Sequence, residues 1–326
     1  METPILLYSY PCTWIFVDDQ ERFLNAVEML IPEEQPYLLW DNPLRCLEYL
    51  QSPSHVVESP LMGRGERSEE DLIVRFELDR IAAQISNRMR FSETSVVVSD
   101  FAMPGIDGIE FLAEIQDSSV KKILLTGVAD EKLAVRAFNS GIIDRFILKS
   151  DPDAISKVVT YSRELEKQRF NEIQSSLRNY LPMRYGELLH NRDFEVKFRE
   201  RLMKLGIVEF YFSSNPWGYY CVDRYGKVYF LLLTDTQLIN EKLAELEAKS
   251  APDPILQSLR EKKRFAGIFE EFDGDDSVEY EWEFNSVDIE KEPSSALLYW
   301  GVHDNPPMDV DFDPGECSLD AYLSAT

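Results

Sequence analysis

The chain has 326 residues, 44 % of them apolar and 12 % aromatic, which is enough to bury two ordinary cores and excludes disorder throughout. Its 59 acids outweigh 34 bases, for a formal net charge of -25. Both halves are acidic, so either would repel a phosphate backbone, and no DNA binding is expected. The four cysteines and three histidines are scattered without zinc-like spacing, which fits free thiols in a reducing cytoplasm. No run reaches the ~18 apolar residues of a membrane helix, and the first residues lack a basic start with a cleavage site. A cytoplasmic protein with no membrane segment is expected.

In chain order, "TWIFVDD" (13–19) is an apolar run ending in two acids, and "ERFLNAVEMLI" (21–31) has helical spacing. "PYLLW" (36–40) and "PLRCLEYLQ" (43–51) repeat the alternation. After a long interruption come "VVVSD" (96–100), a helix from about Gly108, "KKILLTG" (121–127), "DEKLAVRAFNSG" (130–141) and "RFILKSD" (145–151). Five short apolar strands alternating with helices imply a doubly wound parallel α/β sheet.

In such a sheet ligands sit beyond the carboxyl ends of the strands. Asp18 and Asp19 end the first strand, Asp100 the third, Thr126 the fourth and Lys149 the fifth. Crowded carboxylates repel one another unless a cation joins them, and Mg²⁺ takes oxygens of this kind. An aspartate can also act as a nucleophile and carry a phosphoryl group, whose oxygens a lysine and a threonine would hold. One acid at a strand end is ordinary, because loops are wet, but five such groups at the matching ends are not.

With this set assembled, residues of about 11–152 resemble a receiver domain of two-component response regulators. The resemblance rests on "IFVDD", on "DFAMPGIDG" beginning at Asp100, on "LLTG" containing Thr126 and on "RFILK" ending at Lys149. It implies a flavodoxin-like fold and a phosphoacceptor, Asp100, served by a sensor histidine kinase or phosphotransfer protein. It further implies Mg²⁺ on Asp18, Asp19, Asp100 and the backbone carbonyl of Ala102. Thr126 and Lys149 would hold the phosphoryl group, and Phe146 would be the switch aromatic following Thr126. The pattern departs from the family at Ser150, where a proline usually follows the lysine, and in an insertion over about 53–94. The insertion's second part, "EEDLIVRFELDRIAAQISNRM", has helical spacing and reads as a helix packed on the receiver or as a partner-docking face.

Residues 151–181 read as one long helix with an irregular apolar stripe. Only its first turns are expected to cover the receiver, leaving the rest to pack on the second domain or on a second copy, as a signalling helix that forms a homodimer. The domain division expected is therefore a receiver at 1–150, a signalling helix at 151–181 and an α+β output domain at 182–326. In the last, "FEVKFRERLMKLG" reads as a helix stopped by Gly206, and "VEFYF", "GYYCVD" and "KVYFLLLTD" as strands with a turn at "RYGK". Two helices follow, with Asp235 and Asp253 as N-caps. "VEYEWEF" (278–284) and "ALLYWGV" read as further strands.

This half carries no paired histidines, Walker loop, cyclic-dinucleotide signature or basic recognition helix. The "SSNPWGYY" stretch (213–220) is open between a hairpin and a ligand loop. "FDGDD" and "DVDFDP" are open between solvated acidic surface, a weak cation site and a surface for a basic partner. The expectation is a response regulator that is no enzyme beyond its own phosphotransfer and works by changing its dimerisation or its contact with an unknown downstream protein. The alternatives are an unrecognised enzyme or nucleotide-binding output, and a dimeric scaffold independent of phosphate.

Overall fold

The computed structural model describes residues 5–52, 79–127, 130–175, 189–214, 216–269, 285–291, 298–307 and 311–325. They form two compact units interleaved along the chain. The receiver unit holds described residues 10–52, 88–127 and 130–175, and the α+β unit holds 5–9, 79–87 and 189–325 where described.

The boundaries differ from the sequence reading in three places. Strand β1 (Tyr8–Ser9) pairs antiparallel with a strand of the α+β unit, Tyr8 opposite Tyr211. The described end of the insertion, helix α3 (Asp79–Ala83) and the turn after it, packs in that same unit rather than on the receiver, with Ile81 and Ile85 buried. The third difference is the long helix, described below. The first part of the insertion lies outside the described residues.

The receiver unit is a five-stranded parallel sheet in the order β3-β2-β4-β5-β6. Its strands are β2 (Thr13–Val17), β3 (Tyr37–Trp40), β4 (Thr94–Asp100), β5 (Lys121–Thr126) and β6 (Arg145–Leu148). Each is paired in parallel register to its neighbour. This is the flavodoxin-like order, whose direction reverses beside β2. Every residue of β2 and β4 is buried, which explains the unbroken apolar runs: both faces are covered. Val96 and Val98 face one core with Trp14 and Phe16, and Val97 faces the other with Ile15 and Phe111. At about 1.5–3 kcal/mol for each such side chain, these cores hold the strand ends rigidly.

Helices α1 (Glu21–Glu28), α2 (Pro43–Leu50), α4 (Gly108–Ala113) and α5 (Glu131–Asn139) join the strands. Asn42 and Asp107 cap α2 and α4 by accepting first-turn backbone N–H groups.

Helix α6 (Ala154–Gln174) corrects the expectation that only its first turns cover the receiver. Ala154, Val158, Val159 and Leu165 lie in the same core as β2 and β4, and Phe170 meets Tyr10 edge to face at 5.3 Å. Polar ties continue along it: Glu166 accepts from Trp14 and Ser95, Arg169 pairs with Glu93, and Lys121 Nζ lies 2.6 Å from Glu172. The stripe read as a dimer seam is thus covered by the chain's own unit as far as Phe170, and its last members, Leu177 and Tyr180, lie outside the described residues.

The α+β unit is built on a six-stranded sheet, β1-β7-β8-β9-β13-β12. Its further strands are β7 (Ile207–Ser214), β8 (Trp217–Asp223), β9 (Val228–Asp235), β12 (Glu290–Lys291) and β13 (Leu298–Asp304), all antiparallel. A separate pair joins β10 (Arg264–Ala266) to β11 (Ser286–Asp288). Helix α7 (Arg192–Leu205) lays Phe194 and Phe198 on one face, against Trp300, Phe210 and Tyr219. Helices α8 (Thr236–Ala248) and α9 (Asp253–Arg260) cover the other face through Ile239, Leu246, Leu256 and Leu259.

Gly206 ends α7 at φ 66, the left-handed conformation a helix stop uses. Asp235 caps α8, but Asp253 is the first helical residue of α9, and the cap position falls to Pro252. "SSNPWGYY" is the β7–β8 hairpin approach, whereas "FDGDD" and "VEYEWEF" lie outside the described residues. The four cysteines are buried and form no disulfide, and burial pushes the Cys46 thiol up to about 12 and raises those of Cys12 and Cys221, so these three pack rather than react. Among the described residues no helix is long and apolar enough to cross a membrane.

Candidate functional site

The parallel register delivers the strand-end groups to one edge of the receiver sheet. Asp18 follows β2, Asp100 is the last residue of β4, and Lys149 follows β6. One oxygen from each of Asp18, Asp19 and Asp100 lies within 4.8 Å of the others. Asp18 and Asp100 are buried, and Asp19 is exposed. The Lys149 ammonium lies between the two buried acids, 2.6 Å from Asp18 Oδ2 and 2.9 Å from Asp100 Oδ1. It also sits 4.9 Å from the Phe23 ring centre, an aromatic on α1 that the sequence marks only as helix packing.

Two buried carboxylates facing each other are costly without a cation, and Lys149 is the one cation joined to both among the described residues. Burial raises the Asp18 carboxyl, while hydrogen bonds from Lys149 and from the Gln20 amide act in the opposite direction. Three close oxygens, two of them shielded from water, form a donor set suited to a hard divalent cation.

Backbone geometry fixes the nucleophile candidate. Asp100 O accepts from the Ser99 hydroxyl at 2.9 Å, and Phe101 N–H donates to Leu125 O at 2.8 Å. The chain then turns through Gly105, at φ 89, and returns so that Gly108 N–H reaches Phe101 O. A side chain at Gly108 would bring its Cβ to 2.1 Å from Asp100 O, so the return loop tolerates glycine alone. Ala102 is exposed directly beyond the strand end. The "DG" of the sequence motif therefore has two structural duties, Asp107 as helix cap and Gly108 as the close approach.

Thr126 is fully buried at the end of β5, and its hydroxyl donates to Gly127 O at 3.2 Å. The Lys149 N–H donates to Thr126 O, so β6 is stitched to β5 at the site itself. Phe146 is half-buried opposite Leu124, on the sheet face that Thr126 shares by strand alternation. After Lys149 the chain turns through Ser150, with Asp151 N–H donating to Leu148 O.

Residues 69–160 match the family model of the response regulator receiver domain. That match leaves out β2 and the acidic pair, which the insertion separates from the rest in sequence and which sheet pairing restores. The chain carries a receiver domain of the response regulators.

Its likeness to a solved structure, the response regulator LqsR of Legionella pneumophila, spans nearly everything: 28 % identity, 99 % of this chain and 97 % of that one, with a TM-score of 0.76. Two curated relatives are C4-dicarboxylate transport transcriptional regulatory proteins DctD. That of Pseudomonas aeruginosa is 38 % identical over 120 residues, 35 % of this chain and 25 % of the relative. That of Rhizobium meliloti is 38 % identical over 76 residues, 23 % of this chain and 16 % of the relative. The match thus spans a quarter or less of these curated relatives.

Proposed function

We propose that this protein is a phosphorelay switch in which Asp100 takes a phosphoryl group from the phosphohistidine of a sensor kinase or phosphotransfer protein. A carboxylate oxygen of Asp100 attacks phosphorus, the P–O bond forms as the P–N bond breaks, and the imidazole leaves with its electron pair. Asp18, Asp19, Asp100 and the Ala102 carbonyl would hold Mg²⁺, which supplies charge neutralisation for the incoming phosphoryl oxygens. Lys149 already lies against Asp100 and would turn one of its donors to the phosphoryl group. The Thr126 hydroxyl would exchange its weak bond to Gly127 O for a phosphoryl oxygen, and Phe146, on the same sheet face, would follow it.

The observation that carries this reading is the Lys149 ammonium held between Asp18 and Asp100 at one sheet edge. The output is contact with a downstream protein or a second copy in the cytoplasm, with no DNA or membrane involved. Supporting it, α5 beside β6 exposes Val135 and Phe138, three residues apart on one side of the helix, an apolar pair that a partner would cover.

The test is intact mass and light scattering of the full chain with Mg²⁺ and a small phosphodonor, beside Asp100→Asn. A phosphoryl adduct absent from the variant, with a change of assembly or partner affinity, is expected. An adduct that persists in Asp100→Asn would overturn the assignment.

A further inference from the structure

In the α+β unit one helix face and one sheet edge gather cations that nothing in the receiver chemistry uses. Lys197, Arg201 and Lys204 lie three and four residues apart, so α7 presents them on one side. Lys291 on the edge strand β12 faces them across a cleft of about 260 Å³, with Trp300 in its wall. Glu200 and Glu290 also line it, leaving four cations against two acids.

Arg201 is held in place: its guanidinium carbon is 4.6 Å above the Trp300 ring, and Nη2 lies 2.6 Å from Glu290 Oε1. Trp300 is itself buried and meets Phe194 edge to face, so the guanidinium plane rests on the core. Lys204 and Lys291, by contrast, form no ion pair among the described residues. In a chain with 59 acids and 34 bases, leaving two lysines uncommitted in one cleft runs against the overall composition. Their mutual repulsion is relieved by an anion that enters between them.

We infer that this cleft binds a small phosphate-bearing anion. A planar guanidinium offers paired donors that match phosphate oxygens, and ammonium groups supply point charge beside it. The volume falls below the range of drug-sized pockets, which favours a compact group such as a pyrophosphate moiety over an extended ligand. The surrounding negative field would screen out long polyanions while the local cations admit a short one.

Calorimetric titration of the full chain, stripped of divalent cations by chelator and then freed of the chelator by gel filtration, tests this, since without divalent cations phosphate binding at the acidic receiver edge is silenced. The probes are inorganic phosphate, pyrophosphate, a nucleoside triphosphate and citrate. Pyrophosphate is expected to bind, and Lys204→Ala or Lys291→Ala, both exposed, to weaken it by about tenfold each, the loss of one charge-assisted contact. A nucleoside triphosphate tighter than pyrophosphate would identify a nucleotide as the source of the phosphates, and equal affinity would identify the phosphates alone. No heat at millimolar pyrophosphate, equal binding by citrate, or affinity unchanged in both lysine variants would overturn the proposal. Because none of this requires Asp100, failure here leaves the phosphorelay reading intact, and failure of that reading leaves this one intact.

Discussion

The receiver's parallel sheet and the antiparallel sheet of the other unit are both buried on two faces, yet they expose chemistry to a sequence reader very differently. In the parallel sheet every strand ends at the same edge, so Asp18, Asp100, Thr126 and Lys149 converge by topology once the strands are recognised. In the antiparallel sheet successive strands end at opposite edges, and strand-end residues do not meet. Its cationic cleft is instead made by a helix face and an edge strand, with Arg201 and Glu290 separated by 89 positions. Convergence written into a topology is legible, and convergence made by packing is not.

The largest expected effect tests whether the two units are as separable as their chemistry. A fragment of residues 182–326 omits β1, whose residues pair with β7, together with α3. Phe212 N–H donates to Leu7 O and Tyr219 OH to Leu6 O, so the loss strips one edge of the sheet. Buried Leu7, Tyr8, Ile81 and Ile85, at about 1.5–3 kcal/mol each, amount to much of a domain's net stability. The fragment is expected to show no cooperative thermal transition, whereas the full chain shows one. A sharp transition in the fragment would show that β1 and α3 are dispensable.

Next in size is Lys149→Met, which leaves two buried carboxylates face to face. A loss of about 3 kcal/mol in urea unfolding is expected, as for other broken buried pairs. Adding Asp100→Asn should restore most of it, because one of the repelling charges is gone. Mg²⁺ should stabilise Lys149→Met more than the unaltered protein, the metal taking the ammonium's place. Equal losses in the single and double variants would mean that Lys149 acts through packing on Phe23 rather than through charge.

Gly108→Ala should cost about 1–3 kcal/mol, because the clash is with the backbone oxygen of Asp100 and not with a movable side chain. Phosphoryl incorporation should fall with it, since the displaced atom belongs to Asp100, the proposed phosphoacceptor. Wild-type incorporation in this variant would detach the loop from the site.

How much was legible follows the same division. The five receiver strands, their order of use and the acid–lysine edge were readable because residue type at a strand end has chemical meaning. The fate of α6 was not: a 3,4 apolar stripe states that a face is buried but not against what, and Leu165 and Phe170 meet the chain's own unit. Strand β1 was unreadable because two residues carry no periodicity. The α+β strands were legible as alternation, but the cleft beside Trp300 was not, since Lys204 on α7 and Lys291 on β12 lie far apart in sequence and only the packing brings them to one cleft.

The smallest expected effect concerns the other edge of the parallel sheet, where topology also brings strand ends together. Near the starts of β2 and β4, Glu166 accepts from Cys12 N–H at 3.2 Å, Trp14 Nε1 at 3.2 Å and Ser95 Oγ at 2.8 Å. Burial pushes its carboxyl up to about 7, against those three hydrogen bonds and nearby Arg169. Between the ordinary value of 4.5 and about 7, the folded chain keeps a proton that the unfolded chain has lost. Stability from this group is therefore full below 4.5 and falls as pH rises through 7. Each tenfold difference in proton affinity between folded and unfolded chain is worth about 1.4 kcal/mol, so the rise from 4.5 to about 7 sets a ceiling of about 3 kcal/mol, which solvent screening of the partly exposed Glu166 reduces to about 1 kcal/mol. Glu166→Gln keeps the acceptor and removes the charge, so its urea midpoint should change less than that of the unaltered protein between about pH 5 and 7.5. Identical slopes would mean that Glu166 is ionised throughout, and that this edge, like the acidic one, holds a charge by design of its donors.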